Sequence, residues 1–192
     1  MNKKLFKNLE LTGTVFIFGL AALFHFIYDL TDGSVFSILF GAVNESVWEN
    51  TKIFLIAYSI WAVIEILVSN VHFKQFVVSK VIGVYFLGAF IIIAYYIEVL
   101  FAGKSFVAVD IAIGAIGVVL SQLISYKLTI SDKNLKQYFL PSLFFLGLYL
   151  IAYFSFTVFP PHLELFRDPQ TEFYGIIPSY IDQGDAVLNN LT

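Results

Sequence analysis

The chain has 192 residues, of which 59% are hydrophobic and 13% charged, and its mean hydropathy is +0.83. A soluble domain is nearer roughly 45–50% apolar and about 25% charged, so a soluble enzyme or carrier is a poor fit. A net charge of −3 gives no reason to expect nucleic acid or anionic lipid as a partner. The lack of cysteine removes disulfides, thiolate nucleophiles and Cys-ligated zinc or iron–sulfur centres.

The chain opens on Met1-Asn-Lys-Lys-Leu-Phe-Lys-Asn8 and runs into a long apolar stretch with no small-x-small cleavage site, as an uncleaved first helix would. The apolar runs are near the ~20 residues a helix needs to cross about 30 Å of hydrocarbon. The first is expected over about 9–28. A break at 29–33 leads to an apolar stretch, 34–43, too short to span and so re-entrant or interfacial. The second helix is expected to begin near Asn44 or Glu45 and to cross over about 51–69. The third crosses at about 81–101, the fourth at about 106–126 after a Gly103-Lys104 turn, and the fifth at about 138–159. Pro141 falls in the first turn of the last helix, where a missing N–H costs little, and Pro160-Pro161 ends it. The expected fold is an all-α integral membrane bundle of about five transmembrane helices, 1–159, with an interfacial C-terminal tail, 160–192.

The basic residues set an orientation. With the N-terminus in the cytoplasm, the inner side holds Lys3, Lys4, Lys7, Lys74, Lys80, Lys127, Lys133 and Lys136, and the outer side only Lys52, Lys104 and Arg167. That satisfies the positive-inside rule and puts the tail outside. It also gathers Asp29, Asp32, Glu45, Glu49, Glu164, Asp168, Glu172, Asp182 and Asp185 on the outer face. Glu98, Asp110 and His25 fall about one turn below that face, roughly 5 Å deep.

Three motifs carry candidate chemistry. His25-Phe-Ile-Tyr-Asp29 places an imidazole and a carboxylate on one helix face, a pairing that fixes a tautomer and serves a metal, a proton relay or a general base. Asn44-Glu-Ser-Val-Trp-Glu-Asn50 sets Glu45 and Glu49 four residues apart, as two oxygen ligands of a hard cation would be; a helix cap and an ordinary Glu49–Lys52 ion pair explain the same residues. The tail segment from Pro160 to Gly175 brings His162, Glu164 and Asp168 toward the same face, or simply anchors the chain at the interface. Ionisable groups at membrane depth are costly and point to function, which adds Glu98 and Asp110. Glu65, deeper and toward the inner leaflet, is set apart from this group, with pairing to an inner lysine as its bland explanation. Ala108, Ala112, Gly114 and Gly117 read as a close-packing face.

These three motifs together resemble a family of small bacterial membrane proteins of unknown function, over most of the chain. The resemblance implies a bacterial plasma-membrane protein and supplies no activity. A fainter likeness, in the His25–Asp29 spacing alone, is to the sterol-isomerase-like membrane fold, whose further pattern the second helix lacks.

The residues are expected to form an outward-facing polar site with His25, Asp29, Glu45 and Glu49 at its centre. His162, Asp168, Glu98 and Asp110 are secondary candidates. The donors suit a divalent metal, zinc or manganese, whose bound water would hydrolyse a lipid-like substrate in the bilayer. Two alternatives stand beside it: a transporter or permease component using the intramembrane acids, and a non-enzymatic sensor, immunity or assembly protein.

Overall fold

A computed structural model describes residues 3–177. Six α-helices follow in chain order: α1 Lys3–Leu30, α2 Val35–Phe40, α3 Val47–Val68, α4 Phe73–Ala102, α5 Val107–Thr129 and α6 Phe139–Val158, the last entered through a 3₁₀ turn at Leu135–Tyr138. Five are long and apolar enough to cross a membrane, and the described residues contain no sheet, only an isolated bridge between Arg167 and Tyr174.

Local chemistry sets the helix ends. Ser46 caps α3 by accepting the Glu49 N–H at 3.2 Å, so the helix starts at Val47 and not at Asn44 or Glu45. Glu45 therefore precedes the helix and does not share a stripe with Glu49. At its far end α4 stops on Gly103, whose φ of 74° lets its N–H close on the Val99 carbonyl at 2.9 Å. Glu98 then accepts the Phe106 N–H at 2.8 Å and so secures the turn into α5.

Two helices begin well before the apolar runs that announce them. α1 starts at Lys3 and α4 at Phe73, which places Glu10 and Lys80 each seven residues, about two turns, inside a helix. The 28 residues of α1 measure about 42 Å and the 30 of α4 about 45 Å, longer than the hydrocarbon thickness and therefore compatible with tilting.

In the bundle α1 packs on α3 and α5, and α4 packs on α3 and α5; α6 lies outside this group of four, against α4. The core along α3 comprises Ile53, Ile56, Ala57 and Trp61 with Ile17 and Ala21 of α1 and Leu87 of α4. Of the expected close-packing face on α5, Gly114 and Gly117 take part, while Ala108 and Ala112 are exposed. A methyl at Gly114 would run into the Phe54 ring, and one at Gly117 would lie 3.0–3.1 Å from Phe90 and Leu87. Large apolar side chains such as Leu11, Leu67, Leu100, Phe101, Phe144 and Ile151 face outward. An apolar exterior over a partly polar interior is the arrangement that suits lipid as the surrounding medium.

The short apolar stretch after α1 becomes the six-residue α2. It folds back against the bundle: Ala42 N donates to Phe24 O at 3.2 Å, and Tyr153 Oη donates to Leu39 O at 3.0 Å. Both ends of the loop lie at the same end of the bundle, here called the His25 end; the other is the Glu10 end.

Candidate functional site

Buried charge collects in two places, one near each end. At the His25 end the centre is Glu49, Lys52 and Thr157, with side chains of Glu49 and Lys52 only 2% and 0% exposed. Glu49 and Lys52 stand one turn apart on α3, and α6 supplies Thr157. Lys52 Nζ lies 2.6 Å from Glu49 Oε2 and donates to Thr157 Oγ1 at 2.7 Å. Thr157 in turn donates to Glu49 Oε1 at 2.7 Å, closing a three-membered network. Val43 N adds a donor to Glu49 Oε2 at 3.2 Å, and the Tyr153 ring lies 5.8 Å from the ammonium. One acid faces one base, and every oxygen of the carboxylate has a donor. This is the arrangement in which a buried ion pair is tolerated.

Above this centre the surface holds a looser group. His25 Nε2 lies 3.7 Å from Glu45 Oε1, both partly exposed, and Asn50 Nδ2 donates to Glu45 Oε2 at 3.3 Å. The carboxylate within reach of His25 is thus that of Glu45, while Asp29, on the same helix face, is exposed to solvent.

The tail closes over this end. Asp168 is 1% exposed and holds two segments together. Its Oδ1 accepts the Glu45 N–H at 3.1 Å, and its Oδ2 accepts the Thr171 N–H and hydroxyl at 2.9 and 2.5 Å. Asn44 Nδ2 donates to Gly175 O at 2.7 Å, Tyr28 Oη to Ile177 O at 2.9 Å, and Phe166 packs between Trp48 and Phe156. His162 is elsewhere occupied, stacked on Tyr174 at 4.7 Å between ring centroids, and Arg167 pairs with Glu164 at 3.0 Å. Glu98 and Asp110 neighbour each other on the α4–α5 hairpin, apart from the buried Glu49 centre. Asp182 and Asp185 lie outside the described residues.

Of the expected central four, then, the structure joins His25 to Glu45 and engages Glu49 with Lys52. Among the described residues no three His, Asp or Glu side chains form a group placed to hold a metal ion.

The second buried centre, at the Glu10 end, draws on four helices. Lys80 of α4 makes ion pairs with Glu10 of α1, at 3.1 Å, and with Glu65 of α3. From α5, Gln122 Oε1 accepts from Lys80 at 3.0 Å, and Ser125 Oγ donates to Glu10 Oε1 at 2.9 Å. Gln122 Nε2 donates to the Glu10 backbone carbonyl at 3.2 Å, and the Lys80 ammonium sits 5.1 Å from the Tyr58 ring centre. Close helix approach makes this possible: a side chain at Gly13 would overlap Trp61 and Gln122, and one at Gly83 would overlap the Tyr58 hydroxyl. Glu65 does pair with a lysine from its own end of the bundle, but it is no isolated residue, because Glu10 joins it there. The signal in the sequence was three charges inside or beside apolar runs, Glu10 and Lys80 two turns into their helices and Glu65 one turn before the end of its own.

Between α3, α4 and α6 a groove of about 510 Å³ runs along the bundle, lined by Trp48, Thr51, Leu55, Gly88 and Tyr149 among others, and almost wholly apolar. Tyr85, Leu148 and Ile151 at its lip are exposed, so it opens sideways between α4 and α6. Beside it Ser59 and Tyr149 share a hydrogen bond at 3.1 Å.

An all-helical bundle with five potentially membrane-spanning helices and charged centres buried inside it is the architecture of a polytopic membrane protein. The chain belongs to a family of unknown function, DUF6512, whose family model matches residues 1–176. Neither a search of curated proteins nor one of solved structures finds a match.

Proposed function

We propose that the chain is a proton-linked transport component of a bacterial plasma membrane, with an apolar or amphiphilic, lipid-like cargo. The observation that carries this reading is the pair of buried acid–lysine centres at opposite ends of one bundle. Both are built on α3, where Lys52 and Glu65 stand thirteen residues, about 20 Å, apart. Buried ionisable groups are expensive at membrane depth and mark ion or substrate pathways when they occur. The Ser59–Tyr149 hydrogen bond supplies polar groups midway between the centres. The apolar groove beside α3 falls within the roughly 300–1,000 Å³ span of small-molecule sites and opens where lipid would meet it. With the lysine-rich N-terminus in the cytoplasm, the Glu10 end faces inward, and the His25 end with its tail faces outward.

The test is movement of a fluorescent headgroup-labelled phospholipid across proteoliposome bilayers, with and without an imposed pH gradient. The reading expects movement above that of protein-free liposomes, accelerated by the gradient, with the acceleration lost in Glu65→Gln. Movement equal to that of protein-free liposomes, or indifferent to the gradient, would refute it.

A second reading rests on His25 and Glu45. Their 3.7 Å approach at a partly exposed surface would give a divalent metal two ligands, and zinc or manganese held there would bring a hydrolytic water. Elemental analysis of purified wild type and of a His25→Ala, Glu45→Gln variant tests it: stoichiometric zinc or manganese in the wild type alone supports the reading, and none in either removes it.

A further inference from the structure

We infer that the Glu10–Glu65–Lys80 centre is a single-proton site, in which one exchangeable proton is shared by the two carboxyls while Lys80 stays a fixed ammonium. The inference deepens the proton-linked reading above, because it names the ion, the number held and the groups that hold it.

The side chains of Glu65, Glu10 and Lys80 are 0%, 5% and 7% exposed. Fully ionised, they would bury two negative charges against one positive. An uncompensated charge in such surroundings is neutralised in preference to being endured. Among the described residues the groups facing the carboxyls offer no second cation. From α3 come Tyr58, Trp61 and Glu65 itself, from α4 Lys80, and from α5 the neutral Gln122 and Ser125. At the other end of the same bundle, one acid meets one lysine and the count closes without a proton.

Geometry narrows the choice of ion. Both carboxylates direct Oε2 at the same ammonium, so neither is the exclusive partner of Lys80. Ser125 donates to Glu10, while Glu65 has the Trp61 indole and the Gln122 amide beside it as well as Lys80. A metal ion would have to compete with an ammonium already seated between the two acids. The proton belongs to the pair and not to one residue, as in any strongly interacting pair of acids.

The experiment is infrared difference spectroscopy on the full chain in lipid nanodiscs, with carbon-13-labelled glutamate to separate Glu from Asp carboxyls. At neutral pH the wild type is expected to show one protonated glutamic-acid C=O stretch per chain, shifted on transfer to heavy water. Glu10→Gln and Glu65→Gln should each abolish it, since either leaves one acid against one lysine. Glu98→Gln, the control at the far end of α4, should leave it in place. A wild type lacking the band, a band that survives both variants, or one that appears only when sodium is withdrawn would overturn the inference, the last in favour of a sodium site. A band that behaves as expected in a protein that fails the lipid-movement test would leave the proton site standing and remove the transport reading. Lipid movement driven by the gradient without the band would do the reverse.

Discussion

The two ends of the bundle solve the same problem in different ways. At the His25 end, Glu49 and Lys52 are neighbours on one helix, and a single hydroxyl from α6 completes their network. At the Glu10 end, the three charged groups come from three helices, and a fourth helix supplies the amide and hydroxyl that orient them. The first centre is local in sequence and balanced in charge. The second is assembled entirely by tertiary structure and carries one acid too many. A local balanced pair is complete on one helix with a single hydroxyl from another, whatever its neighbours do. A non-local unbalanced one couples the positions of four helices to its charge state, which is what a moving or proton-responsive element requires.

The largest effect is expected where the non-local centre loses its only cation. Lys80→Met leaves two carboxyls buried without a counter-ion, and breaking a buried pair in this way costs about 3–5 kcal/mol. A sharp drop in the thermal unfolding midpoint in detergent, or loss of folded protein, is the expected outcome. An unfolding midpoint like that of the wild type would show that the acids at this end need no lysine. Next comes Glu49→Gln, which leaves the Lys52 ammonium without a counter-charge at a site with no exposure; the cost is about 3 kcal/mol, read in the same assay.

A smaller and more local effect is expected from Asp168→Ala. It removes the carboxylate that holds Glu45 N and Thr171 to each other, about 1.5–3 kcal/mol of charged hydrogen bonding. Hydrogen exchange should speed up at the Glu45 and Thr171 amides and leave those of α3 unchanged below Asn50. Uniform acceleration through α3 would mean that the tail supports the whole bundle and not its end alone. The smallest effect is assigned to Glu65→Gln, below about 1 kcal/mol, because the change converts an unbalanced centre into a balanced one and retains an amide able to accept a hydrogen bond.

The helices were legible from the sequence because lipid imposes length and apolar composition on them. Their ends were not. Starting α4 at Val81 leaves Lys80 in the inner loop, and starting α1 at Leu9 leaves Glu10 at the very edge of a span, where neither invites a partner. Each lies two turns inside its helix and they meet each other, a tertiary fact with no local trace. The same limit explains the candidate site. Spacing on a helix suggested Asp29 as the partner of His25 and Glu45 as the partner of Glu49. Ser46 starts the helix after Glu45, which sends Glu45 to His25 and Glu49 to Lys52. The Glu49–Lys52 pair, only three residues apart, could be read directly. Thr157, a hundred residues further along, could not.

The contrast between the ends can be measured in one comparison, the unfolding midpoints of Glu49→Gln and Glu65→Gln in the same detergent at neutral pH. Each replaces one buried glutamate that pairs with a lysine in the same bundle. The account predicts a large loss of stability for Glu49→Gln, where the charges balance, and almost none for Glu65→Gln, where they do not. Equal losses, or the larger loss at Glu65, would contradict it.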